Sequence, residues 1–268
     1  MDRLPSSLVA LCLTLLEVTP AAPSISAEWE GHQALTREQL QVVVAGARPG
    51  TRPDLYAKNL SNVDLTEVDF RGANLSASVL NGARLVGAKL DGCNLTVSFL
   101  EGVDLSGASL RDAMLFSVQL LAAKLTHADL AGARLIGDLR KTDLSFARLT
   151  RMNAAPDMKN QSMGLMRTNI VNAKAIAADF SDSDFSRADF SFSDLSRARM
   201  LRAKFYRADF SGAVLAGADL AGADLRDSIL IDTDFSGANL SNADLTGATF
   251  RGVRGLDTAI TNGTRGLP

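Results

Sequence analysis

The stretch ADLAGADLRD, residues 218–227, contains the same five-residue unit twice, and this unit decides the fold. Leu or Phe recurs at every fifth position from Leu55 to Leu135, shifts by one residue to Leu139, and recurs after an irregular stretch from Leu165 to Phe250, where Ile170, Ala175 and Met200 are the exceptions. A small residue, most often Ala, stands two positions before nearly all of them, and a polar residue, usually Asp or Asn, stands directly before most of them. The chain is therefore periodic over most of its length.

A period of five residues fits neither the 3.6-residue turn of an α-helix nor the two-residue alternation of a strand. It fits a chain that runs extended for a few residues, bends and repeats. In such a segment the Leu and the small residue two before it both point inward, and the other three residues face water. Gly, Asn, Asp and Ser after the Leu supply the turns. Four segments make a square coil of about 20 residues, and coils stack about 4.8 Å apart through main-chain hydrogen bonds.

The units ANLSA (73–77), ADLAG (218–222), ADLRD (223–227) and ANLSN (238–242) resemble the A(D/N)LXX motif of the pentapeptide-repeat family. The resemblance covers about 200 of the 268 residues. It implies an all-β fold, a right-handed quadrilateral β-helix, here of about ten coils with a short N-terminal capping helix. Dimeric members of that family pair through a C-terminal helix. This chain has no obvious helix of that kind, so we expect a monomer in preference to a dimer.

Solvent-facing positions one coil apart should be stacked neighbours, and their charges should alternate in sign. One predicted column satisfies this condition with Asp64, Arg84, Asp104, Lys124 and Asp143, and it continues beyond the irregular stretch with Asp184, Lys204 and Asp224. A second column contains Asp179, Arg199 and Asp219. The sequence therefore predicts four repeats per coil and a surface on which opposite charges neutralise one another.

The two ends of the chain differ in composition from the repeats. Residues 1–27 have the order of a secretory signal peptide, with Arg3, an apolar run from Leu8 to Leu16 and then small residues, and the run is too short to span a bilayer. In residues 28–50 Thr36 and Gln39 form a capping box, and Leu40, Val43 and Val44 form an apolar stripe. We predict a helix there that caps the first coil, although it could instead bind a partner. The remaining predicted segments are a first repeat block (51–149), irregular repeats or a bulge (150–164), a second block (165–252) and a C-terminal cap or tail (253–268), in which Leu256 and Ile260 fold over the last coil and the final residues fray.

The irregular stretch is the first candidate contact region. The spacing from Leu149 to Leu165 equals three repeats plus one residue, which predicts three degraded repeats that continue the coil and place Lys159 between Asp138 and Asp179. Pro156 removes one hydrogen-bond donor and favours a bulge. The methionines of this region could hold Cu(I), which thioethers suit, or fill gaps in irregular packing, which we favour. The candidate contact residues here are Met152, Pro156, Met158, Met163 and Met166.

A basic cluster at residues 197–207 is the second candidate. Arg199 and Lys204 are expected to lie between acidic residues of neighbouring coils, so the cluster is not interpreted as a nucleic-acid or anion site. Four arginines are less well accounted for and remain candidates for contact: Arg187, Arg197, Arg202 and Arg207. Five aromatic residues fall at outward positions and are not expected to share one side of the coil: Phe99, Phe116, Phe146, Phe192 and Tyr206.

The sequence shows no pattern for catalysis or for a cofactor. His32 and His127 are far apart, and neither has the spacing of a metal ligand. The glycines follow the five-residue period instead of forming a phosphate-binding loop. The chain is 46% apolar with a net charge of −2, which argues against binding to nucleic acid or to an anionic membrane. We therefore predict neither an enzyme, a bound cofactor nor a metal.

Two functions remain open. The first is a non-enzymatic scaffold in the bacterial envelope, periplasmic or secreted, that binds a still unknown protein partner and does not span the membrane. The second is a cytoplasmic DNA mimic that binds a type II topoisomerase such as gyrase, as the family resemblance implies for some members. A duplex mimic needs a strongly anionic face, but residues 51–250 contain 24 acidic and 22 basic residues. This balance favours the scaffold.

Overall fold

The computed structural model describes residues 33–46, 52–156 and 167–268. The repeats form a right-handed quadrilateral β-helix, as predicted, with a ladder of parallel bridges between residues one coil apart. Asp54 pairs with Asn74, and Asn74 pairs with Asn94. The Leu75 N–H donates to the Asn94 carbonyl at 2.8 Å, so main-chain hydrogen bonds join the coils along the axis. This pairing confirms four repeats per coil in the regular parts of the chain.

The core is a narrow column of inward side chains. The Leu or Phe of nearly every repeat and the small residue two before it are almost completely buried, as Leu75 and Ala73 illustrate. The first block uses Leu at nearly every large position, whereas the second block stacks phenylalanines. The rings of Phe190 and Phe210, one coil apart, lie parallel at 5.1 Å between centroids. Because each coil buries only a few large side chains, stability depends on contacts between adjacent coils.

The corners of the coil require a left-handed residue. The second residue after an inward Leu or Phe has a positive φ, for example Gly92 at 64° and Asn62 at 60°. The Asp or Asn before the Leu secures the corner, since its side-chain oxygen accepts a hydrogen bond from the N–H two residues on. Asp64 Oδ1 accepts from the Thr66 N–H at 2.9 Å in this way. The polar residue that the motif demands therefore has a structural role in the turn.

Strands longer than single bridges form three parallel pairs in the described part of the chain. Strand β1 (Gln33–Ala34) pairs with β2 (Lys58–Asn59), β3 (Met114–Gln119) pairs with β4 (Arg134–Asp138), and β5 (Ile229–Ile231) pairs with β6 (Thr249–Arg251). The β3–β4 register shifts between Phe116 and Val118, opposite Ile136 and Gly137. This shift absorbs the residue missing between Leu135 and Leu139, so the deletion leaves the rest of the coil in register.

Helix α1 (Arg37–Ala45) caps the first coil. Thr36 and Gln39 form the predicted capping box, with Thr36 Oγ1 accepting from the Gln39 N–H and Gln39 Oε1 accepting from the Thr36 N–H. Leu40 is fully buried and Val44 packs partly against the core. Val43 was predicted in the same stripe but is 38% exposed, which corrects the prediction, because the short helix turns only Leu40 and Val44 toward the coil.

The irregular stretch does not continue the coil as predicted. Ala154 and Ile170 occupy inward positions on adjacent sides of one coil. Elsewhere one repeat of five residues separates two such positions, so the chain from Ala154 to Ile170 advances the coil by only one side. Thr168 closes this step, since its hydroxyl lies 2.8 Å from the Ala154 carbonyl oxygen and 3.2 Å from that of Leu135. The interpretation as three degraded repeats is therefore wrong. Lys159 itself lies outside the described residues.

This register corrects the predicted charge column. Asp143 pairs with Lys174, and Lys174 pairs with Asp194, so the charges still alternate in sign on this side. The residues that continue the column are not Asp184, Lys204 and Asp224. Those three stack on a different side, next to Asn153. The second predicted column, Asp179, Arg199 and Asp219, is confirmed.

The C-terminal residues continue the ladder. Ile260 pairs with Asn239 and Arg265 pairs with Asp244, and the Arg265 guanidinium donates to Asp244 at 2.7 Å. Leu256 packs partly against the core, whereas Ile260 is 51% exposed. The main chain up to Arg265 is held by hydrogen bonds to the preceding coil, so the predicted fraying can concern only residues 266–268.

Candidate functional site

Ion pairs between coils neutralise much of the surface. Arg202 and Asp182, at stacked corner positions, form a two-pronged pair with distances of 2.7 and 2.8 Å. Arg199 approaches Asp179 at 3.7 Å, and Arg148 approaches Asp129 at 3.4 Å. Exposed pairs of this kind contribute only about 0.2 to 1 kcal/mol each, but they leave little uncompensated charge to attract a charged ligand.

One side of the coil departs from this pattern. Three stacked segments contain no charged residue: NLSASV (74–79), NLTVSF (94–99) and MLFSVQ (114–119). We name them the uncharged face. Every other six-residue side of the same three coils carries at least one charge, and the corresponding segments of the second block, 184–189, 204–209 and 224–229, carry three charges each. The uncharged face is thus specific to the first block and is not a property of the repeat.

Apolar side chains are exposed on the uncharged face. Val97 is 47% exposed and Met114 is 44% exposed. Phe99 and Phe116 are half-buried on the same face. Tyr56, which is 58% exposed, lies on the same side of the helix, one coil before the first of the three uncharged segments. Of the five outward aromatic residues, Phe99 and Phe116 share the uncharged face and Tyr206 lies on the corresponding side of the second block, so the expectation that they are scattered is wrong for these three. Arranging the sequence in rows of one coil each would have revealed this.

The polar groups of the uncharged face are largely engaged within the coil. Asn74 Nδ2 donates to Asp54 Oδ1 at 2.9 Å, and Asn94 Oδ1 accepts from both the N–H and the hydroxyl of Thr96. Ser78 and Ser98 are buried and donate to the carbonyls of Leu55 and Leu75 at 2.7 and 2.8 Å. These bonds fix the outline of the face, because each side chain is tied to the main-chain ladder.

The predicted contact residues of the irregular stretch do not form an exposed group among the described residues. Met152 is buried in the core at 2% exposure, and its N–H donates to Ser183 Oγ at 3.0 Å. Pro156 is half-buried. Met158, Met163 and Met166 lie outside the described residues. Met152 therefore packs in the core, as expected of a side chain that fills an irregular gap.

The four candidate arginines lie on three different corners. Arg187 and Arg207 stack on one corner, Arg197 lies on a second and Arg202 on a third, all with positive φ. Arg202 pairs with Asp182, and Arg207 lies 3.5 Å from Asp227 and over the Tyr206 ring. Arg187 and Arg197 make no ion pair with any described residue. The structure therefore does not unite these arginines into one basic patch.

The repeat model of the family described as "Pentapeptide repeats" matches the chain in eight copies, within residues 59–96, 99–132, 119–153, 165–200, 202–230 and 218–254. These segments cover well over half of the chain. The chain belongs to the pentapeptide-repeat family. No curated protein matches it significantly.

Several solved structures of pentapeptide-repeat proteins are similar to this chain. HetL, involved in heterocyst differentiation regulation in the cyanobacterium Nostoc sp. strain PCC 7120, is 28% identical over 85% of this chain and 98% of its own, with a TM-score of 0.39. QnrB1, a plasmid-mediated fluoroquinolone resistance protein, is 21% identical over 83% and 90%, with a TM-score of 0.32. A thylakoid-lumen protein from Arabidopsis thaliana is 22% identical over 63% and 72%, with a TM-score of 0.15. None of these likenesses carries a functional argument.

Reactive groups are few in the described part of this pentapeptide-repeat chain. No three His, Cys, Asp or Glu side chains gather there to hold a metal ion. Cys93 is buried, its thiol donates to the Phe70 carbonyl, and burial raises the pKa of that thiol to about 12. None of the described helices is long and apolar enough to cross a bilayer. The arrangement is suited to presenting a fixed surface.

Proposed function

We propose that this pentapeptide-repeat protein is a non-enzymatic scaffold of the bacterial envelope that binds a protein partner through the uncharged face. The observation that carries the proposal is the absence of charge over three stacked coils, with Val97, Met114 and Phe116 at the surface. Depletion of charge together with Met and aromatic side chains is the composition of the buried centre of protein interfaces. The main-chain ladder holds these side chains in place, so little conformational entropy is lost on binding.

The envelope location is supported by the composition of residues 1–27, which has the order of a secretory leader. The competing hypothesis, a cytoplasmic DNA mimic, needs a continuous anionic face. The stacked pairs of Arg148 with Asp129 and of Arg199 with Asp179 count against such a face, because they place a cation next to an acidic residue of that side.

In-cell photo-crosslinking tests the interface. A photoreactive phenylalanine analogue at Phe116 should give one discrete crosslinked product, identified by mass spectrometry, while the same analogue at Phe192, 65% exposed on a different corner, should give none. Val97→Asp should abolish the product from position 116, since it places a charge in the apolar contact. The matched control is Ala177→Asp, at a corner with similar φ on another side.

Equal crosslinking from positions 116 and 192, or no effect of Val97→Asp, would refute the role of the uncharged face. Cell fractionation with N-terminal sequencing tests the location separately. We expect a mature chain in the periplasm or medium that begins near residue 28. Recovery from the cytoplasm with Met1 or Asp2 intact would overturn the envelope assignment and reopen the DNA-mimic hypothesis.

A further inference from the structure

A cleft of about 630 Å³ opens at the edge of the uncharged face. We name it the Gly92 cleft; its lining includes Arg52, Gly92, Asn94, Asp112, Met114 and Phe116. It crosses the side of the coil between the corner of Gly92 and the corner of Phe116. Asn94, Met114 and Phe116 belong both to the cleft and to the uncharged face.

The cleft arises from two successive glycines at one corner. The side chain at a corner position can lie over the corresponding residue of the next coil. Arg52 covers Gly72 in this way, with its Cγ and Nε 3.6 Å from where a Cβ would stand. Because Gly72 has no side chain, nothing covers Gly92, and no atom lies within 4 Å of a Cβ built there. Asp112, one coil further, lies over Gly132 and away from Gly92.

The two ends of the cleft carry opposite charges that are not ion-paired. Arg52 and Asp112 are exposed and form no ion pair with any described residue. Their charged neighbours are engaged: Arg71 pairs with Asp69 at 2.6 Å and Arg111 pairs with Asp129 at 2.5 Å. Arg52 and Asp112 are three coils apart, about 14 Å at the spacing of stacked strands, so they cannot neutralise each other.

The middle of the cleft combines apolar surface with one free amide. Met114 is 44% exposed and Phe116 is half-buried. Asn94 Oδ1 is held by Thr96, which leaves the Asn94 NH₂ group without a partner among the described residues. A ligand that fits must therefore offer a carboxylate, an apolar group with a hydrogen-bond acceptor, and a cation, in that order.

We propose that the Gly92 cleft binds a peptide of about four residues with free ends. Four extended residues span about 13 to 14 Å, which matches the spacing of about 14 Å between the two corner positions that carry Arg52 and Asp112. The α-carboxylate binds Arg52, the α-ammonium binds Asp112, an apolar side chain packs on Met114 and Phe116, and the Asn94 NH₂ donates to a peptide carbonyl. The inference rests on the proposed function, since Asn94, Met114 and Phe116 belong to both the cleft and the proposed protein-binding face.

NMR titration of the full mature chain tests the proposal with Ala-Leu-Leu-Ala as the probe. We expect a Kd of about 1 mM and amide shifts centred on Asn94 and Met114. Amidating the peptide C-terminus should weaken binding about two- to five-fold, as expected for one exposed charge pair, and Arg52→Gln should erase the difference between the acid and the amide. Acetylating the peptide N-terminus should weaken binding by a similar factor, and Asp112→Asn should erase the difference between the free and the acetylated peptide.

Two variants serve as matched controls. Arg197→Gln removes another arginine without an ion pair, on a different corner, and Asp232→Asn removes a carboxylate that lies over Gly252 as Asp112 lies over Gly132. Both should leave peptide binding unchanged. The proposal falls if no shifts appear up to about 10 mM peptide, or if amidation weakens binding equally with and without Arg52. Crosslinking from Phe116 without peptide binding would refute only the peptide site in the cleft. Peptide binding without crosslinking would refute only the proposed protein interface.

Discussion

Replacing Phe205 by alanine should destabilise the second repeat block strongly. Phe205 is fully buried, and its ring centroid lies 5.3 Å from that of Phe210, 5.7 Å from Phe190 and 6.2 Å from Phe185. Removing a buried phenylalanine ring costs about 3 to 5 kcal/mol in free energy of unfolding, and the loss of three aromatic neighbours places this site in the upper half of that range. Phe205→Leu should cost only about 1 kcal/mol, because Leu fills the equivalent position in most coils of the first block.

Urea denaturation followed by circular dichroism measures these differences as shifts of the midpoint at constant slope. Phe192→Ala is the matched control, since Phe192 is 65% exposed and should change the free energy of unfolding by no more than about 0.5 kcal/mol. If Phe205→Ala and Phe192→Ala shifted the midpoint equally, the division into inward and outward positions would be wrong.

Three further predictions concern a buried thiol, a buried hydroxyl and the carboxylates at the corners of the coil. Cys93 should resist iodoacetamide at about pH 8 until the chain is unfolded in urea, because burial raises the pKa of its thiol to about 12; peptide mapping by mass spectrometry checks this, and rapid labelling of the folded chain would contradict it. Thr168→Val should lower the free energy of unfolding by about 1 to 2 kcal/mol in the same urea assay, since the buried carbonyls of Ala154 and Leu135 lose the one hydroxyl proton that they share. An unchanged midpoint would show that Thr168 does not close the irregular stretch. Hydrogen bonds from Thr66 and Ser236 lower the pKa of Asp64 and Asp234. The stability that these bonds contribute is complete above the unfolded-state pKa of about 3.9 and is lost as pH falls through the folded-state pKa. The melting temperature should therefore be flat from about pH 8 to 5 and fall below about pH 4, and a fall beginning near neutral pH would contradict this.

The repeat pattern was sufficient to predict the coil, its inward residues and the capping box of α1. Each of these features depends on residues close together in sequence: Ala and Leu alternate within one side, Asp64 bonds to Thr66 at its own corner, and Thr36 bonds to Gln39. The prediction for Val43 was wrong for a different reason. Which face of a short helix is buried depends on how the helix meets the coil, and the helix period alone does not set that angle.

The candidate site was predicted less well than the fold. The methionines and arginines stood out as departures from the motif, but the structure buries Met152 and separates Arg197, Arg202 and Arg207 onto three corners. The uncharged face was present in the sequence as an absence of charge that recurs once per coil. The Gly92 cleft needed the structure, because it depends on where the side chain of Arg52 lies relative to a glycine one coil away.

The sequence by itself determined the shape of a single coil, since the five-residue period sets which side chains point inward and where the backbone must turn left-handed. Only the tertiary structure decided how the two blocks stack. The segment between Ala154 and Ile170 could complete three sides of a coil or one, and both leave the Leu and Phe of every repeat pointing inward. The hydrogen bonds of Thr168 and the pairing of Asp143 with Lys174 select one side, because they join residues that are distant in sequence and adjacent only after the coils have stacked.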